Sequence, residues 1–524
     1  MGVYINIGND GFVSARRSEY VDKSGLIAYV NSTLSTEQRF SCVTRCRRFG
    51  KSLAAKMLCA YYDHSCDSRH LFADLAIASH PSFEEHLNKY PVIYLDMTEF
   101  VSRFNDESIV EYIDAELKGD IIKAYPDVMI DGKDDFMACL IRIYEATGQK
   151  FIFIIDEWDS ICREDFAGTP VMDHYVNWLR RMFKGVNGIR VFAGVYMTGI
   201  LPIKRYGTQS ALNNFQEFSM ANADMLAGYI GFTEPEVRNL CAKYDMDYEE
   251  MKAWYDGYSF STDYSAVFNP NSVIQACKRH KYNNYWGKTS SFETLQLYID
   301  MNQTGVQENL EKIVRGECLK VSVLRFGFDV SSIGSDDELF TLLIHLGFLS
   351  YNVEEGTVKI PNKEIRMEFI EALRGSKTHK KLSAMVRRSD RLMKATLDGD
   401  EQQVAEIVGQ IHDSDAAPSF YNNEQALRSV LKLGYLSAID DFVSIQELPT
   451  GRGYADLAFI PRLGGGKPAV VVELKWNKTE HAAIDQIKNR DYPNALKRFT
   501  DNILLVGINY DETTKKHTCK IERL

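Results

Sequence analysis

The 524-residue chain holds 45% hydrophobic and 25% charged residues and carries a formal net charge of −11. This usage excludes a disordered, collagen-like or coiled-coil protein, and at about 150 residues per domain the length suggests three or four folding units. The acidic total by itself argues against a nucleic-acid binder.

Ten cysteines are scattered without a CxxC pair or zinc spacing, as expected for free thiols in a reducing compartment. The N-terminal text MGVYINIGND has neither the basic start nor the apolar core of a signal peptide, and no apolar run is long enough to span a bilayer. A cytoplasmic protein with no membrane contact is the expectation.

The first third alternates β-rich runs with helical stretches. Arg39–Thr44, Pro91–Leu95, Phe151–Ile155 and Ile189–Tyr196 read as strands, and Ser52–Tyr62 as a helix. Such alternation predicts an α/β fold around a parallel sheet, and the all-apolar Phe151–Ile155 belongs inside it. From about 213 to 375 helical, aromatic-rich text takes over. Within it, residues 338–361 read as a helix, a turn at Gly347 and two short strands, a winged-helix-like pattern. Arg374–Lys381 reads as a linker or an exposed helix turn. The last part is helical from Leu382 to His412 and from Tyr421 to Leu433. Strands follow at Phe442–Leu448, Tyr454–Ile460 and Ala469–Leu474, the last two joined by a turn at Gly464–Gly466. A helix over Glu480–Asn489 and a strand over Asn502–Ile508 close the pattern.

Two segments carry chemistry. Residues 45–52, RCRRFGKS, lead from a strand into a helix, where backbone N–H groups and the helix N-terminus favour a phosphate. Gly50 lets backbone approach the ligand, Lys51 reaches the β/γ-phosphates, and the Ser52 hydroxyl can hold Mg²⁺. The consensus has a further glycine where this chain has Arg45, so the match is partial. Arg45, Arg47 and Arg48 place positive charge beside the loop, for triphosphate or nucleic acid. The second part of the constellation is IIDEWD, an apolar strand ending in Asp156 and Glu157. There Asp156 binds Mg²⁺ through water and Glu157 polarises the attacking water. Thr198, at the end of the next strand, is a candidate γ-phosphate sensor. Arg180 and Arg181 are candidate arginine fingers.

The other segment lies in the last 150 residues. Asp456 sits on one predicted strand and Glu473 and Lys475 on the next, in VVVELK. Two apart on a strand, Glu473 and Lys475 share a face. Asp and Glu brought together across a hairpin make a hard-oxygen site for Mg²⁺ or Mn²⁺, and the lysine can orient water or stabilise phosphorane charge. Glu424 could add a third carboxylate, and Gln486 lies on the helix that follows. The alternative is a cross-strand ion pair on an exposed face, which the Val-rich strand disfavours.

These motifs resemble those of an AAA-ATPase-like family with a C-terminal PD-(D/E)XK nuclease domain. The matching pieces are Tyr20–Ile27 (YVDKSGLI), CRRFGKSL, the IIDEWD strand, Gly231–Val237 (GFTEPEV), WYDGYSF and Val267–Val273 (VFNPNSV). Arg45 is usual in that family, whereas Cys46 replaces its common proline and Gly453–Asp456 is looser than its Gly-Arg-x-x-Asp. The resemblance implies an α/β P-loop NTPase core over 1–212, a helical and winged-helix-like lid over 213–375 and a restriction-endonuclease-like domain over 376–524. It implies ATP and Mg²⁺ as cofactors, with Mn²⁺ an option at the nuclease site, and nuclease residues Asp456, Glu473 and Lys475 supported by Glu424 and Gln486. By analogy it points to defence or mobile-element biology. The activity expected is an ATP-regulated, Mg²⁺-dependent nuclease acting on nucleic acid, DNA before RNA, with oligomerisation left open. The alternative is a nucleotide-dependent switch that binds a partner or nucleic acid without cutting it.

From 376 to the end the chain holds 22 basic and 20 acidic residues, a net +2, which leaves −13 for residues 1–375. The acidity belongs to the expected NTPase and lid portion. It does not argue against a nucleic-acid substrate for the C-terminal part.

Overall fold

The apolar run that ends in Asp156 lies inside a parallel sheet in the computed structural model of the chain. The structure describes residues 2–103, 108–163, 170–203, 205–206, 209–210, 212–261, 264–287, 291–301, 306–323, 333, 335–415, 431, 434–440, 442–449, 454–461, 466–489, 496 and 500–524. Two compact units result, Met1–Trp286 with Cys318–Asn362, and Gly287–Glu317 with Lys363–Leu524.

In the first unit, β1 (Phe40–Thr44), β2 (Val92–Asp96), β3 (Phe151–Asp156), β4 (Phe192–Gly199) and β5 (Gln216–Phe218) form one sheet in the order β2-β3-β4-β1-β5, parallel throughout. Every residue of β1, β3 and β4 is buried. Helices cover both faces, which is why these strands read as unbroken apolar runs and not as alternating ones. Helix α1 (Lys51–Tyr62) packs against β2, β3 and β4. Elsewhere in this core the Phe183 ring meets those of Phe40, Phe153 and Phe192.

One strand differs from expectation. The run predicted from Ile189 is helical over Val186–Val191, and β4 begins at Phe192. Gly188 permits this: a Cβ there would lie 2.7 Å from the Met182 carbonyl oxygen, so only glycine lets the short helix back onto the end of its predecessor.

The same unit contains helix Asp336–Leu346, a left-handed turn at Gly347 (φ +86°) and antiparallel strands Ser350–Asn352 and Thr357–Lys359. Leu319–Lys320 pairs on the outer side of the second strand.

The second unit holds a five-stranded mixed sheet of β6 (Phe442–Pro449), β7 (Tyr454–Pro461), β8 (Ala469–Trp476), β9 (Ile503–Asp511) and β10 (Lys516–Arg523), in that spatial order. All neighbours are antiparallel except β8 and β9. Ahead of the sheet lie helices α2 (Lys380–Asp398) and α3 (Glu401–Asp415), broken from each other at Gly399 (φ +76°). Helix α3 packs on β10. Between β8 and β9, α4 (Glu480–Asn489) packs on both strands, burying Ile484 and Ile487 with Val471, Ile503 and Leu505. Residues 287–317 and 363–375 join this unit through helix Lys363–Gly375, which packs on α2 and on helix Ser291–Met301.

Candidate active sites

In the first unit the carboxyl ends of β1, β3 and β4 lie along one edge of the sheet, the position where doubly wound sheets bind ligands. The loop after β1 turns into α1 through Gly50, whose φ of +95° places it in the left-handed region, and no side chain caps the helix. A Cβ at Gly50 would meet nothing within 4 Å, so the space above the loop is open. The first N–H groups of α1 point out of the helix toward that space.

Lys51 is buried. Its ammonium donates to the Cys46 carbonyl at 3.2 Å and lies 3.4 Å from Glu157 Oε1. The Tyr94 hydroxyl donates to Asp156 Oδ2 at 3.4 Å, and the Ser52 hydroxyl beside Asp156 favours its ionised form. Burial, with Glu157 and Asp96 nearby, pushes Asp156 up to about 6 despite Ser52. Glu157 sits just past the strand at φ +51°. Burial works to raise its pKa, but the charges of Lys51 and Arg163 outweigh burial and hold it below the usual carboxylate range. Thr198 is fully buried, and its hydroxyl has no hydrogen-bond partner. Its carbonyl accepts from the Trp158 amide at 2.9 Å, which ties the end of β4 to the turn after β3.

The structure thus brings Lys51, Ser52, Asp156 and Glu157 together, with Gly50 in the loop. The arginines separate. Arg45 is fully buried and turns away from the loop's mouth: it donates to the carbonyls of Thr44 (2.8 Å) and Phe218 (3.0 Å) and lies 4.7 Å from the Phe260 ring centroid. Burial pushes its guanidinium down to about 10. Arg48 donates to the Tyr285 carbonyl, while Arg47 is exposed. Arg180 and Arg181 are exposed on helix Pro170–Phe183.

Sequence reasoning missed two features here. Arg163 pairs with Glu157 and, at 2.9 Å, with the buried Asp159, which in turn accepts the Leu201 amide at 2.9 Å. The i,i+4 spacing of Asp159 and Arg163 was the available signal. The second is a cavity of about 200 Å³ beside Gly50, walled by Tyr20, Leu53, Met57, Tyr229, Phe232 and Ile274. Its walls draw on four of the quoted family segments or their near neighbours, so their co-occurrence was the trace of it.

In the second unit the register that pairs Leu457 with Val472 places Asp456 opposite Glu473 on one face of the β7–β8 pair. Asp456 Oδ2 accepts the Leu474 amide at 2.9 Å. Glu473 is 2% exposed. Its Oε1 accepts from Lys475 Nζ at 3.2 Å and from the Gln486 amide of α4, while its Oε2 is buried with no partner. Burial, reinforced by Asp456, pushes Glu473 up to about 7.

A buried carboxylate oxygen without a donor, beside a second carboxylate, suits a divalent cation, which would neutralise both charges. Among the described residues no group of three His, Cys, Asp or Glu side chains is gathered for a metal. Glu424 lies outside the described residues. Gln486 is brought to Glu473 because α4 lies close on β9: a Cβ at Gly507, which pairs with Glu473, would stand 2.4 Å from the Glu480 carbonyl oxygen.

Comparison with known proteins finds a family model for a stretch of each part of the chain. Residues 6–208 match the family model described as a predicted AAA-ATPase, and residues 422–520 match that of the PD-(D/E)XK nuclease superfamily. No curated protein matches the chain. Among solved structures, a replication initiator DnaA bound to AMPPCP and single-stranded DNA is similar over 74% of this chain and 92% of its own, at 10% identity and a TM-score of 0.28. A DNA replication initiation factor is similar over 80% of this chain and 96% of its own, at 10% identity and a TM-score of 0.26. No helix of the described residues is long and apolar enough to cross a membrane.

Proposed function

The chain carries an AAA-ATPase-like domain and a PD-(D/E)XK nuclease-superfamily domain, and from that premise we propose that it hydrolyses ATP and uses a divalent metal to cut nucleic-acid phosphodiesters. The observation that carries the second half is the pairing of Asp456 and Glu473 across β7 and β8, with an unpartnered oxygen on Glu473 and Lys475 beside it.

In the NTPase domain, the amides of α1 and the Lys51 ammonium receive the phosphates. The cavity beside Gly50 takes the base between apolar walls. Lys51 leaves Glu157 for the phosphates, and Glu157, held ionised, orients and deprotonates the attacking water. Ser52 and Asp156 would hold the Mg²⁺ that neutralises phosphate charge. Thr198, its hydroxyl free, senses the γ-phosphate.

In the nuclease domain, Asp456 and Glu473 would hold Mg²⁺ or Mn²⁺, which when bound supplies charge neutralisation for the scissile phosphate. Lys475 donates to Glu473 and turns its remaining protons toward the water or the phosphate oxygen. Gln486 fixes the Glu473 rotamer. ATP turnover in the same chain regulates cleavage, in a cytoplasmic setting of defence or mobile-element control, with DNA ahead of RNA as substrate.

The test is incubation with Mg²⁺ and ATP against plasmid, single-stranded DNA and RNA. Asp456→Ala and Glu473→Ala that cut as well as the wild type would end the nuclease reading. Metal calorimetry separates it from a non-cutting switch, for which no Mg²⁺ or Mn²⁺ would bind the C-terminal domain.

A further inference from the structure

Helix α2 belongs to the same compact unit as Asp456 and Glu473. Its 19 residues hold six bases and two acids. One face is buried through Leu382, Met385, Val386, Leu392 and Met393. The other exposes Lys380, Ala384, Arg387, Arg391 and Lys394, with Lys377 just before the helix. The spacing of 4, 3, 4 and 3 residues keeps these positions in one line along the helix.

Two acids beside the middle of this face, Asp390 and Glu311, are engaged elsewhere, and the exposed Asp398 lies one turn past Lys394 at the helix's end. Asp390 is held by Arg374 at 3.0 Å, and Glu311 takes Lys381 at 3.2 Å and Arg315. Among the described residues, no carboxylate lies within ion-pair distance of Lys377, Lys380, Arg387, Arg391 or Lys394. The small Ala384 side chain leaves an open trough of about 730 Å³ between these cations.

We propose that this face of α2 is a track for the phosphate backbone of the nucleic acid that the nuclease domain acts on. An ordinary solvated helix mixes both signs of charge along a face, whereas this one presents only bases from Lys380 to Lys394, with the exposed Asp398 ending the line one turn later. At 1.5 Å per residue, Lys380 to Lys394 spans about 21 Å, and a duplex of that length carries roughly a dozen phosphate charges. Lysine and arginine side chains on a rigid helix fix the register of the duplex without reading its sequence. The trough gives the backbone somewhere to lie where a larger residue at 384 would hold it off.

The proposal rests on the nuclease reading for its partner, and one experiment separates the two. Binding of fluorescein-labelled duplex and single-stranded DNA to the full chain is followed by anisotropy in Ca²⁺, across a KCl series. Lys380→Gln/Arg387→Gln/Arg391→Gln is expected to bind at least tenfold more weakly and to lower the log–log salt slope by about 3. Arg387→Lys/Arg391→Lys is expected to keep both. Asp456→Asn is expected to bind as the wild type and not to cut. If the triple variant fails to fold, Arg391→Gln/Lys394→Gln reads the same slope with an expected drop of about 2. Unchanged affinity and slope in the neutralised variants overturn the track and leave the nuclease reading standing. Cleavage by Asp456→Asn with binding lost in the triple variant overturns the nuclease reading and leaves the track. Poly-glutamate bound as tightly as DNA, and lost in the same variant, would assign the face to an acidic polypeptide and overturn the proposal.

Discussion

Lys51 and Glu157 form an ion pair at 3.4 Å across the mouth of the phosphate loop. The lysine proposed to receive phosphate is thus held by the carboxylate proposed to activate water. On the proposed function, ATP binding would take Lys51 away from Glu157 and free Glu157 for the attacking water. Glu157→Gln removes the competing charge and the base together. Phosphate release should fall by about 10²-fold or more, while ATP affinity, read with a fluorescent analogue, should hold or improve. Lys51→Ala should lose binding itself. A Glu157→Gln enzyme with wild-type turnover would remove Glu157 from the mechanism.

Glu473 poses the matching problem in the other unit. Its buried Oε2 has no donor, and burial lifts its pKa to about 7, so the metal-free protein carries an electrostatic cost at this position. Glu473→Gln should therefore abolish cleavage yet raise the stability of the metal-free protein by about 1–2 kcal/mol. Mn²⁺ should raise the melting temperature of the wild type by mass action and leave that of Glu473→Gln unmoved. Differential scanning calorimetry with and without EDTA reads both effects. A variant that melts lower than wild type in EDTA would contradict the account.

The sequence made these sites legible where side-chain chemistry and local pattern coincided. β3 announces itself because a buried parallel strand needs no polar face, and its two carboxylates follow at once. Lys516–Arg523 was not read as a strand, since an edge strand with alternating polar residues gives a weak apolar signal. Arg45 looked like a phosphate ligand beside Arg47 and Arg48. Its burial against the Phe218 carbonyl depends on β5, 173 residues away. The cavity beside Gly50 was hidden for the same reason: Tyr20, Tyr229 and Ile274 meet only in three dimensions.

Gly507 tests how far α4 determines the nuclease geometry. It faces the Glu480 carbonyl, so a methyl group there must push the helix away from β9. Because α4 carries Gln486, the shift withdraws the amide that holds Glu473. Gly507→Ala should cost about 1–3 kcal/mol in unfolding free energy and reduce cleavage well beyond that loss of folded protein. Adding Gln486→Ala to Gly507→Ala should cost little more in activity, since the contact is already gone. Additive losses would separate the two residues.

His412 on α3 and His517 on β10 stand ring to ring, with Nδ1 and Nε2 3.2 Å apart and the Tyr510 ring against both. Burial, and then His412, push His517 down to about 4, and burial lowers His412 although Asp413 opposes it. The folded state therefore favours neutral rings. An unfolded histidine titrates near 6.5, so the stability is fully present above that pH and is lost as pH falls toward 4. Between pH 6.5 and 5 His517 alone should account for about 1.6 kcal/mol, felt where α3 packs on the sheet. His517→Phe keeps an aromatic ring on Tyr510 and removes the second titrating group. Its unfolding free energy, measured by urea denaturation from pH 7.5 to 5, should fall less steeply than that of the wild type. Parallel curves for the two proteins would show that the pair does not report on pH.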